Sequence, residues 1–320
     1  MGPSGKWVEG IFPDGSVEDA ARRSLEARLT TVNHWLPLAA YLADQDPEHV
    51  HRLRVSTRRA VAALRLYRDC LRSKPARWLN KRLKKIRRAA GEARDFDVLA
   101  SRLDLTYGQR AGPVVAIISK RRAAVQPAII KTAERCRRRD RFVRKTAKLL
   151  ECIYPPDKHK SQPIVFRSWA AKQLNEAAQP FFDALPDEAA DTKALHQFRI
   201  CAKALRYTIE LVAPTFGPEL RDEYYPLVEE LQERLGKIQD HVTASDRLCK
   251  WADDESDAAT HELLRELAAE EGTRLEEELR KFRAWWTAER VEALRRGLTL
   301  KSSEPAGECL RPLQQAVHQT

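Results

Sequence analysis

Residues 49–67 read HVHRLRVSTRRAVAALRLY, a stretch without glycine or proline in which apolar and basic residues take opposite sides of a helix. With 3.6 residues per turn, Leu53, Ala60, Leu64, Tyr67 and Leu71 share one face. His51, Arg54, Arg58, Arg65 and Arg72 share the other, as a stripe about 31 Å long. The pattern predicts a helix over 47–72, with Asp46 as N-cap, Pro47 at the first helical position and Glu48 behind it. A solvated face normally mixes signs, because each i,i+4 ion pair adds about 0.2–0.5 kcal/mol. This face lines up like charges, so an absent anion explains it better than stability does.

The layout recurs. Residues 194–212 read ALHQFRICAKALRYTIELV, and a shift of 145 places His51 on His196, Arg54 on Arg199 and Arg58 on Lys203. Arg206 extends the second stripe, while Phe198, Leu205, Ile209 and Val212 form its core side. The same shift superposes Asp46 on Asp191, Gly91 on Gly236 and Asp95 on Asp240, and more weakly Arg22 on Arg167. Two separate matches at one offset predict a duplicated unit.

Proline and small polar clusters divide the rest into helical segments at about 16–44, 75–104, 110–151, 162–185, 191–213, 218–251 and 255–296. Only 12 glycines occur in 320 residues, which favours an all-α protein. The expected architecture is a duplicated four-helix unit in tandem, 16–151 and 162–296, joined by a linker at 154–163. From 297 to 320 the amphipathic period fades, and a loose tail is expected.

The net charge is +11, and it is unevenly spread. Residues 51–150 hold 30 Lys and Arg against 7 Asp and Glu, a local +23. Such a field suits a polyanionic partner. Lys81, Lys84, Lys85 and Arg88 in KRLKKIRRAAGEAR (81–94), KRR at 120–122 and RCRRRDRFVRK at 135–145 extend it, although part of these runs serves solubility or pairing with the acidic helix 255–296. The six cysteines are scattered without a CxxC pair, which suits free thiols in a reducing cytosol. No apolar run reaches the roughly 18–20 residues of a membrane span, so a soluble cytoplasmic protein without membrane contact is expected.

With HxxRVxxRR in one half, HxxRIxAKxLRY in the other and GxxRDxDV downstream, residues 16–296 resemble the conserved histidine α-helical domain, CHAD. The resemblance implies a single CHAD domain of two four-helix bundles related by a pseudo-two-fold, with a basic surface or pore between them. It also implies binding of inorganic polyphosphate and association with polyphosphate granules. By that resemblance the phosphate-contacting candidates are His51, Arg54, Arg58, His196, Arg199, Lys203 and Arg206. Arg59, Arg65, Arg22, Arg167, Lys81, Lys84, Lys85, Arg88 and Arg94 join them as neighbouring basic groups. Two departures make the halves unequal: Val61 stands opposite Arg206, and Arg94 opposite Gln239.

Polyphosphate carries no bases, so its binder needs rows of forked donors rather than stacking platforms. Aromatics within the basic helices are few: Tyr67 falls on the core face, and Trp78, Phe96 and Phe142 stand apart. That disfavours single-strand binding by stacking. Backbone-directed binding of RNA or DNA remains the alternative. His51, His196, Asp95, Asp240 and His241 make no recognisable metal motif, and no P-loop, nucleophile elbow or paired catalytic carboxylates occur. A non-catalytic protein without cofactor or metal is expected. Trp285 and Trp286 read as core residues rather than as a docking surface. Oligomeric state is open.

Overall fold

The computed structural model describes residues 5–156, 164–186 and 191–303, and its regular elements are helical, with two isolated β-bridges, Ser16 to Val165 and Leu71 to Ile153. Among these residues ten α-helices follow in order: α1 (Val17–Tyr41), α2 (Glu48–Leu66), α3 (Ser73–Tyr107), α4 (Gly112–Arg137), α5 (Arg141–Leu150), α6 (Phe166–Asp183), α7 (Thr192–Val212), α8 (Tyr225–Asp253), α9 (Ala258–Trp285) and α10 (Ala288–Ser303). Helices α1–α5 pack together, as do α6–α10.

Side-chain caps open several helices. Ser16 accepts from the Asp19 amide at 3.1 Å, and Asp191 from the Lys193 amide at 2.8 Å. Asp46 accepts from the Glu48 amide at 2.8 Å in the matching place, with Pro47 rather than Asp46 as the capping residue. Helix α2 ends earlier than its stripe suggested. The chain tightens into a 3₁₀ turn at Arg68–Cys70, so Arg72 becomes the N-cap of α3 and leaves the stripe.

Two segments expected as single helices are broken, each for a packing reason. The 110–151 segment bends at Arg138–Asp140, where Arg139 and Asp140 adopt left-handed φ of 53° and 48°. For residues with a Cβ this costs about 1–2 kcal/mol each. The bend turns Phe142 and Leu149, which are fully buried, back against α1 and α3. Their burial recovers about 1.5–3 kcal/mol per side chain. The 255–296 segment breaks at Trp286, so that Trp285 stacks on Trp286 and Trp286 packs on Phe198. Trp285 is thus a core residue, and Trp286 is partly buried against the core.

Helix α10 runs through Gly297 to Ser303, where a loose tail was expected; residues 304–320 and the linker residues 157–163 lie outside the described residues. Gly297 has a use here, because a Cβ at this position would overlap the Tyr224 ring. Tyr224 ends a π-helical turn, Leu220–Tyr224, that leads into α8. Gly297→Ala should destabilise the protein by about 1–3 kcal/mol. An unchanged thermal midpoint would mean that the ring swings aside freely.

The halves meet along several seams, among them the Ser16–Val165 bridge and the stacking of Tyr67 on Trp169. Helix α2 lies against α7, so the two basic helices adjoin across the interface. Further out, Phe96, Leu99, Leu103 and Ile118 of α3 and α4 pack with Leu248, Trp251, Leu264 and Leu267 of α8 and α9 in a second core. Arg102 and Arg110 reach from the first half to the acidic α9, Arg102 to Glu271 at 2.7 Å and Arg110 to Glu266 and Glu270 at 2.8 and 2.7 Å. Between the α2–α7 contact and the second core lies a cavity.

Candidate functional site

That cavity has a volume of about 420 Å³ and is walled by α2, α3, α7 and α8. Helix α2 contributes His51, Arg54 and Arg58; α7 contributes His196 and Arg199; α3 and α8 supply Arg94, Asp95, Gln239 and Asp240. Leu99 and Ala244 of the second core line it as well. The helix period explains the gathering. The apolar faces of α2 and α7 are drawn into the core by Leu53 and Phe198, both fully buried, and this aims both stripes at the space between the halves.

Too many cations converge for mutual comfort. Burial lowers the basicity of Arg58, and the guanidiniums of Arg54 and Arg199 lower it further, against an opposing hydrogen bond with Tyr207. Burial likewise lowers Arg199, with Arg54 adding to the effect and Asp240 opposing it. Lys203 does not line the cavity. It sits among Arg199, Arg58, Arg54 and Arg206, and burial together with these neighbours pushes its amine down to about 6. His51 is shifted down by burial and then by Arg94, which favours the neutral imidazole.

Two carboxylates stand among these groups. Asp95 Oδ1 accepts from Arg54 Nη1 at 2.5 Å, and the same guanidinium reaches the Gly91 carbonyl at 3.3 Å. Asp240 faces the cavity near Arg199, and its backbone carbonyl accepts from Arg102 at 3.4 Å. The unequal positions 94 and 239 have distinct tasks. Arg94 sets a cation beside His51, whereas Gln239 meets the ring Nδ1 of His196. His241 is turned to Glu271, 2.7 Å away.

Other sequence candidates lie elsewhere. Arg59 forms a two-pronged contact with the buried Glu210, at 2.7 and 3.1 Å, and Arg206 lies 3.9 Å from Glu210 and 3.6 Å from Glu229. Arg22 donates to the Leu150 carbonyl, and Arg167 pairs with Asp14 at 3.6 Å. Arg65 is exposed and close to Cys201. Arg88 joins Arg54, Arg58 and Arg87 around a smaller concavity of about 290 Å³, while Lys81, Lys84 and Lys85 are exposed along α3 outside the cavity lining.

Sequence reasoning overlooked Arg102 and Arg247, which both line the cavity. They are separated by the same 145 residues, so the signal was present in the repeat. Arg247 lies over the Phe96 ring at 5.0 Å, which ties the cavity wall to the second core.

Among the described residues no helix is long and apolar enough to cross a membrane. A family model described as the CHAD domain matches residues 23–249. The crystal structure of the CHAD domain from the plant Ricinus communis superposes with a TM-score of 0.68 at 22% identity, covering 93% of this chain and 96% of that one. PptA from Streptomyces chartreusis superposes with a TM-score of 0.55 at 17% identity, covering 90% and 99%. At these identities the likeness carries the fold. A search of curated proteins found no match. Since the family model spans well over half of its residues, the chain belongs to the CHAD domain family.

Proposed function

We propose that this protein binds inorganic polyphosphate in the cavity between its two halves, without catalysing a reaction on it, in the cytoplasm and at polyphosphate granules. The observation that carries the reading is the convergence of His51, Arg54, Arg58, His196 and Arg199 on one cavity, with Lys203 behind them. Burial and mutual repulsion hold Arg58, Arg199 and Lys203 below their ordinary basicity, and a bound polyanion relieves both penalties at once. Guanidinium forks match phosphate oxygens, and Arg54, Arg58 and Arg199 supply three of them.

A competition titration tests the reading. Long-chain polyphosphate, short oligophosphate, single-stranded RNA and duplex DNA are compared at equal total charge and at two salt concentrations. Long polyphosphate should bind tightest and retain most of its affinity at the higher salt. If all four bind alike and fade together with salt, the site is a general basic surface and backbone-directed nucleic-acid binding replaces this reading.

The same reading predicts a pH dependence. Above about pH 6 the Lys203 amine is neutral, and a bound polyanion raises its affinity for a proton. Binding therefore takes up a proton, and affinity falls as pH rises from about 6. Lys203→Met should flatten that profile, as read by titration in buffers of different ionisation enthalpy. For the fold the sign is the opposite. Between about 6 and its ordinary value of 10.5 the unfolded chain holds the extra proton, so removing the amine's charge as pH rises adds stability.

A further inference from the structure

We propose that Asp95 and Asp240 determine the selectivity of this site, acting as resident counter-ions for its arginines that only an anion of high charge density displaces. The inference rests on the polyphosphate reading and deepens it.

A pocket whose only task was to attract anions would contain no carboxylate, since each one repels the ligand and occupies a donor. Here two stand in the wall, at positions related by the 145-residue shift, each four residues after a glycine. Asp95 holds Arg54 Nη1 at 2.5 Å, although its side chain keeps 41% of its surface accessible. It is therefore reachable by ligand and can be released to water. Asp240 lines the same cavity; burial raises its pKa and Asp95 adds to the rise, while Arg199, Arg102 and Arg54 oppose it. The two carboxylates and the arginines between them form one electrostatic unit.

Their effect depends on the ligand's charge spacing. Polyphosphate joins its phosphoryl units through single bridging oxygens, so a short length presents many charges and can engage Arg54, Arg58 and Arg199 together. Nucleic acid inserts a sugar between phosphates, and orthophosphate offers one unit. Either engages only part of the cluster and leaves the carboxylates in place, unpaired or repelling it. A dense chain offsets the loss of the Arg54–Asp95 pair and the repulsion of Asp240; a sparse one does not.

The test compares the unmodified protein with Asp95→Asn and Asp95→Asn/Asp240→Asn, measuring Kd for linear polyphosphate and for single-stranded poly-uridine RNA at one salt concentration and equal total charge. Circular dichroism confirms that helicity is kept. RNA affinity should rise about tenfold in the double variant, equivalent to releasing one charge pair, while polyphosphate affinity changes by less than about threefold. Preference for polyphosphate thus narrows. An unchanged preference, or parallel weakening for both ligands, overturns the inference and leaves the carboxylates as braces for the arginines. Absence of any preference in the unmodified protein sinks the polyphosphate reading itself, and this inference with it. Asp95→Asn alone suffices if the double variant fails to fold, because Asp95 is the carboxylate in direct contact with Arg54 and should show the same direction at smaller size.

Discussion

Glu210→Ala should cost about 3–5 kcal/mol of stability, the penalty of leaving buried cations without their partner. Glu210 is only 1% exposed and lies on α7. It accepts from Arg59 on α2 at 2.7 and 3.1 Å and from the Tyr225 hydroxyl on α8 at 2.9 Å, with Arg28 of α1 at 4.0 Å. Arg28 is itself 2% exposed; burial pulls its pKa down to about 10, and Glu210 is the strongest group opposing that fall. Losing the carboxylate removes the charged partner of Arg59 and the nearest anion to Arg28, which keeps the Gly5 and Lys6 carbonyls at 2.7 Å, and takes one of two carboxylates from Arg206. Glu210→Gln keeps the shape and one acceptor and should lose less. Urea unfolding with an unchanged m-value reads the difference. A loss under about 1 kcal/mol for the alanine variant would show that the cluster relaxes or hydrates. The network also has a functional consequence, since it clips α2 to α7 through Arg59 and so sets Arg54 and Arg58 opposite Arg199.

Arg54→Ala/Arg199→Ala should weaken polyphosphate binding at least about 100-fold while leaving helicity unchanged. Hydrogen bonds to charged groups contribute about 1.5–3 kcal/mol each, and two guanidiniums are removed. The salt dependence should also flatten, by about 0.7 in slope for each phosphate that the protein no longer neutralises on a single-stranded polyanion. Arg59→Ala provides the contrast, because its guanidinium is committed to Glu210 and its removal should appear first in stability. Arg22 and Arg167, engaged with Leu150 and Asp14 away from the cavity, should be nearly silent in binding. If the double variant binds as the unmodified protein does, the cavity is not the site, and the exposed lysines of α3 become the better candidate.

The helical character, the two basic helices and their shared core faces were legible from residues 49–67 and 194–212, because a period of 3.6 states which side of a helix is buried. The same period led from His51 and His196 to one cavity. Periodicity says nothing of where a helix must bend, so 110–151 was read as continuous. The left-handed Arg139 and Asp140 carry no glycine to announce them, and the bend exists because Phe142 and Leu149 have a core to return to. Nor could it separate Arg58 from Arg59, neighbours of the same kind. One faces the cavity, and the other meets a carboxylate 151 residues away.

The sequence by itself therefore determined the helices, their buried faces and the charge available to the interface, since these depend on interactions within a few turns. Only the tertiary structure decided which cations stay available to a ligand. That depends on partners such as Glu210, Glu271 and Asp95, brought from distant helices into a space where an unpaired charge is costly.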